Sequence, residues 1–166
     1  MIRSMAFSQK YTLVSPIEPI TTGDTFNSHE WPLHVTIADT FAIEAIDGIM
    51  EESLNRAKAQ HAFKVSGEKT TYFGSDKSVE VLLLRTSDQL YQLHSEVVDV
   101  LLTHGATFND PQYTKDGFIG HITQQKDNRI NVDQEVLLDS IALIDMFPGG
   151  DPYERKVLKI IHFGEV

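Results

Sequence analysis

Apolar and polar residues change period several times along this chain, and each change marks an element. Tyr11-Thr12-Leu13-Val14-Ser15 reads as a first strand, closed by Pro16 and Pro19. After a polar stretch containing Gly23, Asp24, Asn27 and Ser28, the residues Leu33, Val35 and Ile37 alternate with His34, Thr36 and Ala38, the signature of a half-buried strand. From Ala42 the period lengthens: Ile43, Ile46, Met50 and Leu54 fall at helical spacing, as do Ile49, Ser53 and Ala57, which predicts an amphipathic helix lying on a sheet.

Phe63 to Val65, Thr70 to Phe73 and Val79 to Leu84 predict three further strands, separated by turns at Ser66-Gly67 and Gly74-Ser75-Asp76. Thr86-Ser87-Asp88-Gln89 offers a capping box. Leu90, Leu93, Val97 and Leu101 continue at helical spacing until Gly105, so a second helix is expected here. Asn109-Asp110-Pro111 predicts a loop, Phe118 to Gln125 a strand, and Val136 to Met146 and Val157 to Phe163 two long strands joined through Pro148-Gly149-Gly150-Asp151-Pro152.

Within this pattern one short motif occurs twice, as His34-Val35-Thr36 and His121-Ile122-Thr123, each time on a strand followed or preceded by a helix. In a strand, His and Thr two apart point the same way while the residue between them points into the core. A fold that sets the two strands side by side gathers two imidazoles and two hydroxyls around one cavity. One imidazole removes a proton while the other donates one, and the hydroxyls hold phosphate oxygens without a metal. A single His-x-Thr carries little weight; two in matching contexts carry more. Near pH 6.5 an unperturbed pair supplies both protonation states, and the near-equivalence of the motifs leaves open which histidine is acid and which is base.

Composition narrows the alternatives. A hydrophobic content of 41% against 23% charged residues is that of a globular chain, and 166 residues are expected to form one two-lobed domain, residues 1–166, without a Pro/Ser-rich linker. The absence of cysteine excludes disulfides, thiolate metal sites and a cysteine nucleophile. A formal net charge of −10 argues against capture of long duplex nucleic acid, since phosphate neutralisation supplies that affinity, whereas a small or terminal phosphate remains compatible. No run of about 18 apolar residues is present, so neither membrane insertion nor export is expected, and a cytoplasmic monomer is the expectation. Zinc on His29 and His34, or on His94 and His104, matches no recognised ligand spacing; neither a metal nor another cofactor is expected. His29, His61, His94, His104 and His162 lack a threonine two places on and read as surface or packing residues, and Lys77, Arg129 and Arg155 read as solvated charges. No glycine-rich phosphate loop or serine nucleophile elbow occurs.

His34-Val35-Thr36-Ile37 and His121-Ile122-Thr123-Gln124, with Phe73-Gly74 before the strand Val81 to Leu84, the helix from Asp88 and the closing strand between Tyr153 and Phe163, resemble the two-histidine (2H) phosphoesterase superfamily, in particular its 2'-5' RNA ligase and cyclic phosphodiesterase group. The resemblance covers most of the chain from Tyr11 onward. It implies an α+β, bilobal fold in which two antiparallel sheets line a central cleft with helices packed outside, and a metal-independent phosphodiesterase acting on 2',3'-cyclic phosphates or 2',5'-linked nucleotides and RNA ends, with RNA 2'-5' ligation as the reverse chemistry. A non-catalytic module that binds cyclic or terminal phosphates is the alternative. The implied catalytic residues are His34 and His121, with Thr36 and Thr123 on the phosphate. Lys126 stands where many family members carry a basic residue, and keeps the charge without the planar fork of arginine. Phe118 and Tyr153 are further candidates for substrate contact, Tyr153 to stack on a base or donate to phosphate, whereas Phe73 is expected in the core. Gln124 departs from the apolar residue usual there: if buried it must find partners, and if it lines the cleft it has a base or ribose to read.

Overall fold

The computed structural model describes residues 9–44, 46 and 60–164. Its strands are β1 (Tyr11–Pro16), β2 (Thr25–Asn27), β3 (His34–Ala42), β4 (Phe63–Phe73), β5 (Val79–Leu84), β6 (Thr107–Phe108), β7 (His121–Thr123), β8 (Glu135–Leu138), β9 (Ser140–Asp145) and β10 (Glu154–His162), and the α-helix among the described residues is α1 (Asp88–Thr103). The strands run antiparallel in the order β2-β10-β9-β1-β3-β7-β5-β4-β8, with β6 beside β3. Two antiparallel halves, β2-β10-β9-β1-β3 and β7-β5-β4-β8, therefore meet where the two motif strands pair. Only Asp139 separates β8, at the far edge, from β9 in the other half. That link requires the sheet to curl round on itself, and the rings of Phe63 in β4 and Phe163 beyond β10 stack 6.4 Å apart across the closure.

The helix α1 starts one residue later than the capping box suggests: Ser87, not Thr86, is the N-cap, its hydroxyl accepting from the Leu90 N–H at 3.1 Å. Leu90, Leu93, Val97 and Leu101 face inward as the 3.6-residue period demands, in one core cluster with Val35, Ile37, Leu82 and Ile122. A smaller cluster of Val14, Ala142, Ile144 and Val157 lies on the opposite face of the first half, with Phe26 and Trp31 against it. The helix expected from Ala42 falls largely outside the described residues, although Ile43 and Ile46 pack on the main core.

Three boundaries differ from expectation for non-local reasons. Ser66-Gly67 is not a turn, because β4 runs unbroken through it; the strand changes partner there, from β8 over Phe63–Ser66 to β5 beyond Gly67, across a bulge. Gly67 is required by crowding, since a Cβ at that position would sit 2.5 Å from Leu82 Cδ2. The long strand expected over Val136 to Met146 is divided at Asp139, its two parts serving opposite halves of the sheet. The second motif strand is only three residues long, entered from a tight turn at Lys115–Gly117 and left through a loop closed by Gln124.

Candidate active site

The two halves join through one residue pair, Val35 opposite Ile122, and these are the middle residues of the two motifs. Both are fully buried. Antiparallel pairing about that point sets His34 across from Thr123 and Thr36 across from His121, with all four side chains on one face. The surface around them forms two hollows. One, of about 510 Å³, is lined by Thr36 and His121 and walled by Tyr72, Phe73, Tyr113 and Phe118. The other, of about 490 Å³, is lined by His34 and Thr123 together with Trp31, Gln124, Lys126 and Arg129. Each hollow thus receives one imidazole and one hydroxyl from the two motifs.

Both histidines are held in the same way. The Nδ1–H of His34 donates to the Pro32 carbonyl at 2.8 Å, and that of His121 donates to the Ile119 carbonyl at 2.8 Å. A carbonyl only accepts, so each ring is fixed as the tautomer that leaves Nε2 for a ligand. The Thr36 and Thr123 hydroxyls have no protein partner among the described residues, unlike Thr12, whose hydroxyl is tied to the Ala38 carbonyl at 2.7 Å.

Their surroundings differ. His34 lies against Trp31, ring centroids 4.6 Å apart, and burial pushes its pKa from 6.5 down to about 4, with His121 lowering it further against the opposing effect of the Pro32 carbonyl. His121 meets the edge of Phe73 at 5.0 Å. Burial lowers its pKa as well, while the Ile119 carbonyl and the Asp39 carboxylate pull it back up. Neither imidazole therefore titrates at the unperturbed value expected from sequence.

Asp39 reaches the cleft because of a bulge. Leu13 pairs with Ala38 but Val14 with Thr36, so β3 carries one residue more than β1 between these points. The alternation slips: Ile37 and Ala38 are both fully buried and Asp39, instead of Ala38, lines the aromatic hollow beside Thr36.

The remaining candidates separate. Lys126 is exposed at the second hollow, and Phe118 lies flat on His94, centroids 3.9 Å and planes 15° apart, as a wall of the first. Tyr153 lines neither hollow: its side chain is 67% exposed, and its backbone is committed to Asp151 and Ser28. Phe73, expected in the core, instead lines the aromatic hollow. Gln124 does find partners. Its Oε1 accepts from the Ile130 N–H at 3.0 Å and its Nε2 donates to the Ile130 carbonyl at 2.7 Å, a side-chain copy of a strand pair that closes the loop carrying Lys126 and Arg129.

Sequence reasoning passed over Trp31 and Asp39, and read His94 as a surface or packing residue, of which the structure shows the second. Trp31 is the single tryptophan, three residues before His34, and its position was the available signal. His94 is buried; its Nδ1–H donates to the Ile37 carbonyl at 2.6 Å and its Nε2 accepts the Lys115 N–H at 2.9 Å, locking α1, β3 and the loop before β7 together. With both nitrogens engaged it offers none to zinc. Arg129 pairs with Glu80, and Arg155 donates to the carbonyls of Met146, Pro152 and Glu154 beneath Trp31, so neither is a simple solvated charge.

Two His-x-Thr strands paired on a curled antiparallel sheet are the arrangement of a two-histidine phosphoesterase. The sequence profile of the 2'-5' RNA ligase superfamily matches residues 12–141, and the chain belongs to that superfamily. The fold is similar to a crystal structure described as a phosphoesterase (TM-score 0.58, 17% identity, covering 95% of this chain and 99% of that one). It is also similar to the protein TT0787 of Thermus thermophilus (0.56, 16%, 95% and 100%) and to E. coli LigT complexed with 3'-AMP (0.52, 12%, 95% and 99%). No match is found among curated protein sequences. No helix among the described residues is long and apolar enough to cross a membrane.

Proposed function

We propose that this chain is a phosphodiesterase that opens 2',3'-cyclic phosphates or cleaves 2',5'-linked nucleotides and RNA ends without a metal. The observation that carries the reading is the pairing of Val35 with Ile122, which puts two Nε2 atoms and two hydroxyls without a partner among the described residues on one face. His34, neutral above about pH 4, is the base: its Nε2 takes a proton from water as the water oxygen bonds to phosphorus. His121, whose pKa burial lowers and the Ile119 carbonyl and Asp39 partly restore, is the acid, and gives its Nε2 proton to the ribose oxygen as the phosphorus–oxygen bond breaks. Thr36 and Thr123 donate to the non-bridging oxygens as charge builds, and the Lys126 ammonium adds a positive charge at the second hollow. With a 5'-hydroxyl in place of water, its oxygen bonding to phosphorus as a cyclic phosphorus–oxygen bond breaks, the same proton transfers give end-joining.

A neighbour of the same fold, E. coli LigT, binds 3'-AMP, a nucleotide with its phosphate on the ribose 3' oxygen, and this supports a ribose phosphate as ligand. The test is incubation with a panel of 2',3'-cyclic nucleotides and 2',5'-linked dinucleotides in EDTA. Turnover that survives the chelator is expected. Turnover that appears only with an added divalent ion overturns the mechanism, and bound cyclic phosphate recovered unchanged overturns the enzyme in favour of a binding module.

A further inference from the structure

The aromatic hollow has one feature that a stacking surface alone does not need. Among the described residues lining it, Asp39 is the only one with a charged side chain at neutral pH apart from what the two imidazoles contribute, and no described lysine or arginine accompanies it. Its Oδ1 accepts from the neighbouring Thr40 N–H at 2.8 Å, and no cation pairs with it among the described residues. A carboxylate has about four acceptor positions, so most of its capacity is unused. The β3 bulge places it there in preference to the alanine that regular alternation would supply.

We propose that this hollow is a nucleobase subsite in which Asp39 reads N–H donors on the base edge, so that the chain prefers guanine over uracil nucleotides. The inference deepens the phosphodiesterase reading and rests on it for one step. The group that protonates the leaving ribose oxygen is His121, and the nucleoside bearing that oxygen must then lie on the His121 side, where the aromatic walls stand. Tyr72 and Tyr113, 53% and 47% exposed, flank the opening, and Phe118 is fixed in place by its stack on His94. A hollow of about 510 Å³ is ample for a base.

The chemistry of the Asp39 carboxylate then sorts the bases. A carboxylate repels a second phosphate and attracts donors. Guanine presents two adjacent donors, N1–H and the N2 amino group, to a group that accepts both. Adenine and cytosine present one amino group each. Uracil presents N3–H between two carbonyls, whose oxygens face the carboxylate unfavourably. A site built to accept a donor discriminates against a ligand that lacks it, because the carboxylate, covered by the ligand, is then left unpaired.

The experiment compares kcat/KM for guanosine and uridine 2',3'-cyclic phosphates in the wild type and in Asp39→Asn, with calorimetric binding of 3'-GMP and 3'-UMP alongside. The expected wild-type preference for guanine is at least about tenfold, falling toward one in Asp39→Asn. A wild-type ratio near one overturns the proposal whether or not the variant folds. An equal loss on both substrates in Asp39→Asn also overturns it, since Asp39 would then act only on His121. If neither cyclic phosphate is turned over but 3'-GMP binds at least about tenfold tighter than 3'-UMP, the subsite stands and the hydrolase reading falls.

Discussion

His34 and His121 are the same device in two environments. Each donates Nδ1–H to the carbonyl two residues before it, each faces a threonine across the strand pair, and each has an aromatic ring against it. The difference lies in what else is near. His34 has Trp31 over it, and its pKa falls to about 4; His121 has the Asp39 carboxylate in range and keeps more of its basicity. Backbone geometry sets where the two nitrogens stand, and the neighbours decide which one holds a proton.

The largest break in this comparison is removal of either ring. His34→Ala and His121→Ala are each expected to lower kcat by at least about a hundredfold, with the double variant losing little beyond the worse single one, because in the proposed mechanism acid and base act in one step. Steady-state kinetics on the cyclic phosphate check this, with thermal melts showing that both variants fold.

The next effect is on stability. His34 has a folded pKa of about 4 against 6.5 for a free imidazole, so between these values the unfolded chain binds the extra proton and the folded chain does not. Stability therefore rises as pH climbs from about 4 to 6.5 and is lost as pH falls through that window, by on the order of 3 kcal/mol. In His34→Gln, denaturant midpoints measured across the same window are expected to be flatter by most of that amount.

Smaller still, Thr36→Val and Thr123→Val keep the shape and remove the hydroxyl. A loss of about 1–3 kcal/mol in transition-state stabilisation is expected from each, read as kcat/KM. The subtlest probe is the pH profile. The rate should rise as His34 loses its proton near pH 4 and fall as His121 loses its own below 6.5, giving an optimum on the acid side of 6.5. Trp31→Leu, which lets water nearer His34, should move the rising limb upward and leave the falling limb in place.

The site's centre was legible because it depends on local alternation: His34 and Thr36 share a face in any regular strand, as do His121 and Thr123. Its asymmetry was not. Asp39 enters through a bulge that exists only in register with β1, and a sequence pattern that runs Val35, Ile37 puts Ala38 on the cleft face. Gly67 was read as a turn because glycine marks turns locally, whereas here it yields room to Leu82 from the neighbouring strand. Trp31 needs its ring contact with His34 to stand out from any aromatic in a loop. Tyr153 illustrates the opposite error: residing in a glycine- and proline-rich connection made it available to a ligand without bringing it near one.

The single pair Val35–Ile122 also implies a local twofold axis, since two antiparallel strands are related by a half-turn about the midpoint of a facing pair. That rotation carries His34 onto His121 and Thr36 onto Thr123. A phosphorus atom on the axis would see the same ligands from either side, and the reaction run in reverse becomes the forward reaction turned through 180°. Which imidazole holds the proton is then a property of whatever departs from the symmetry, chiefly Trp31 on one side and Asp39 on the other. Exchanging those two neighbours, and neither histidine, is the change that would turn the acid into the base.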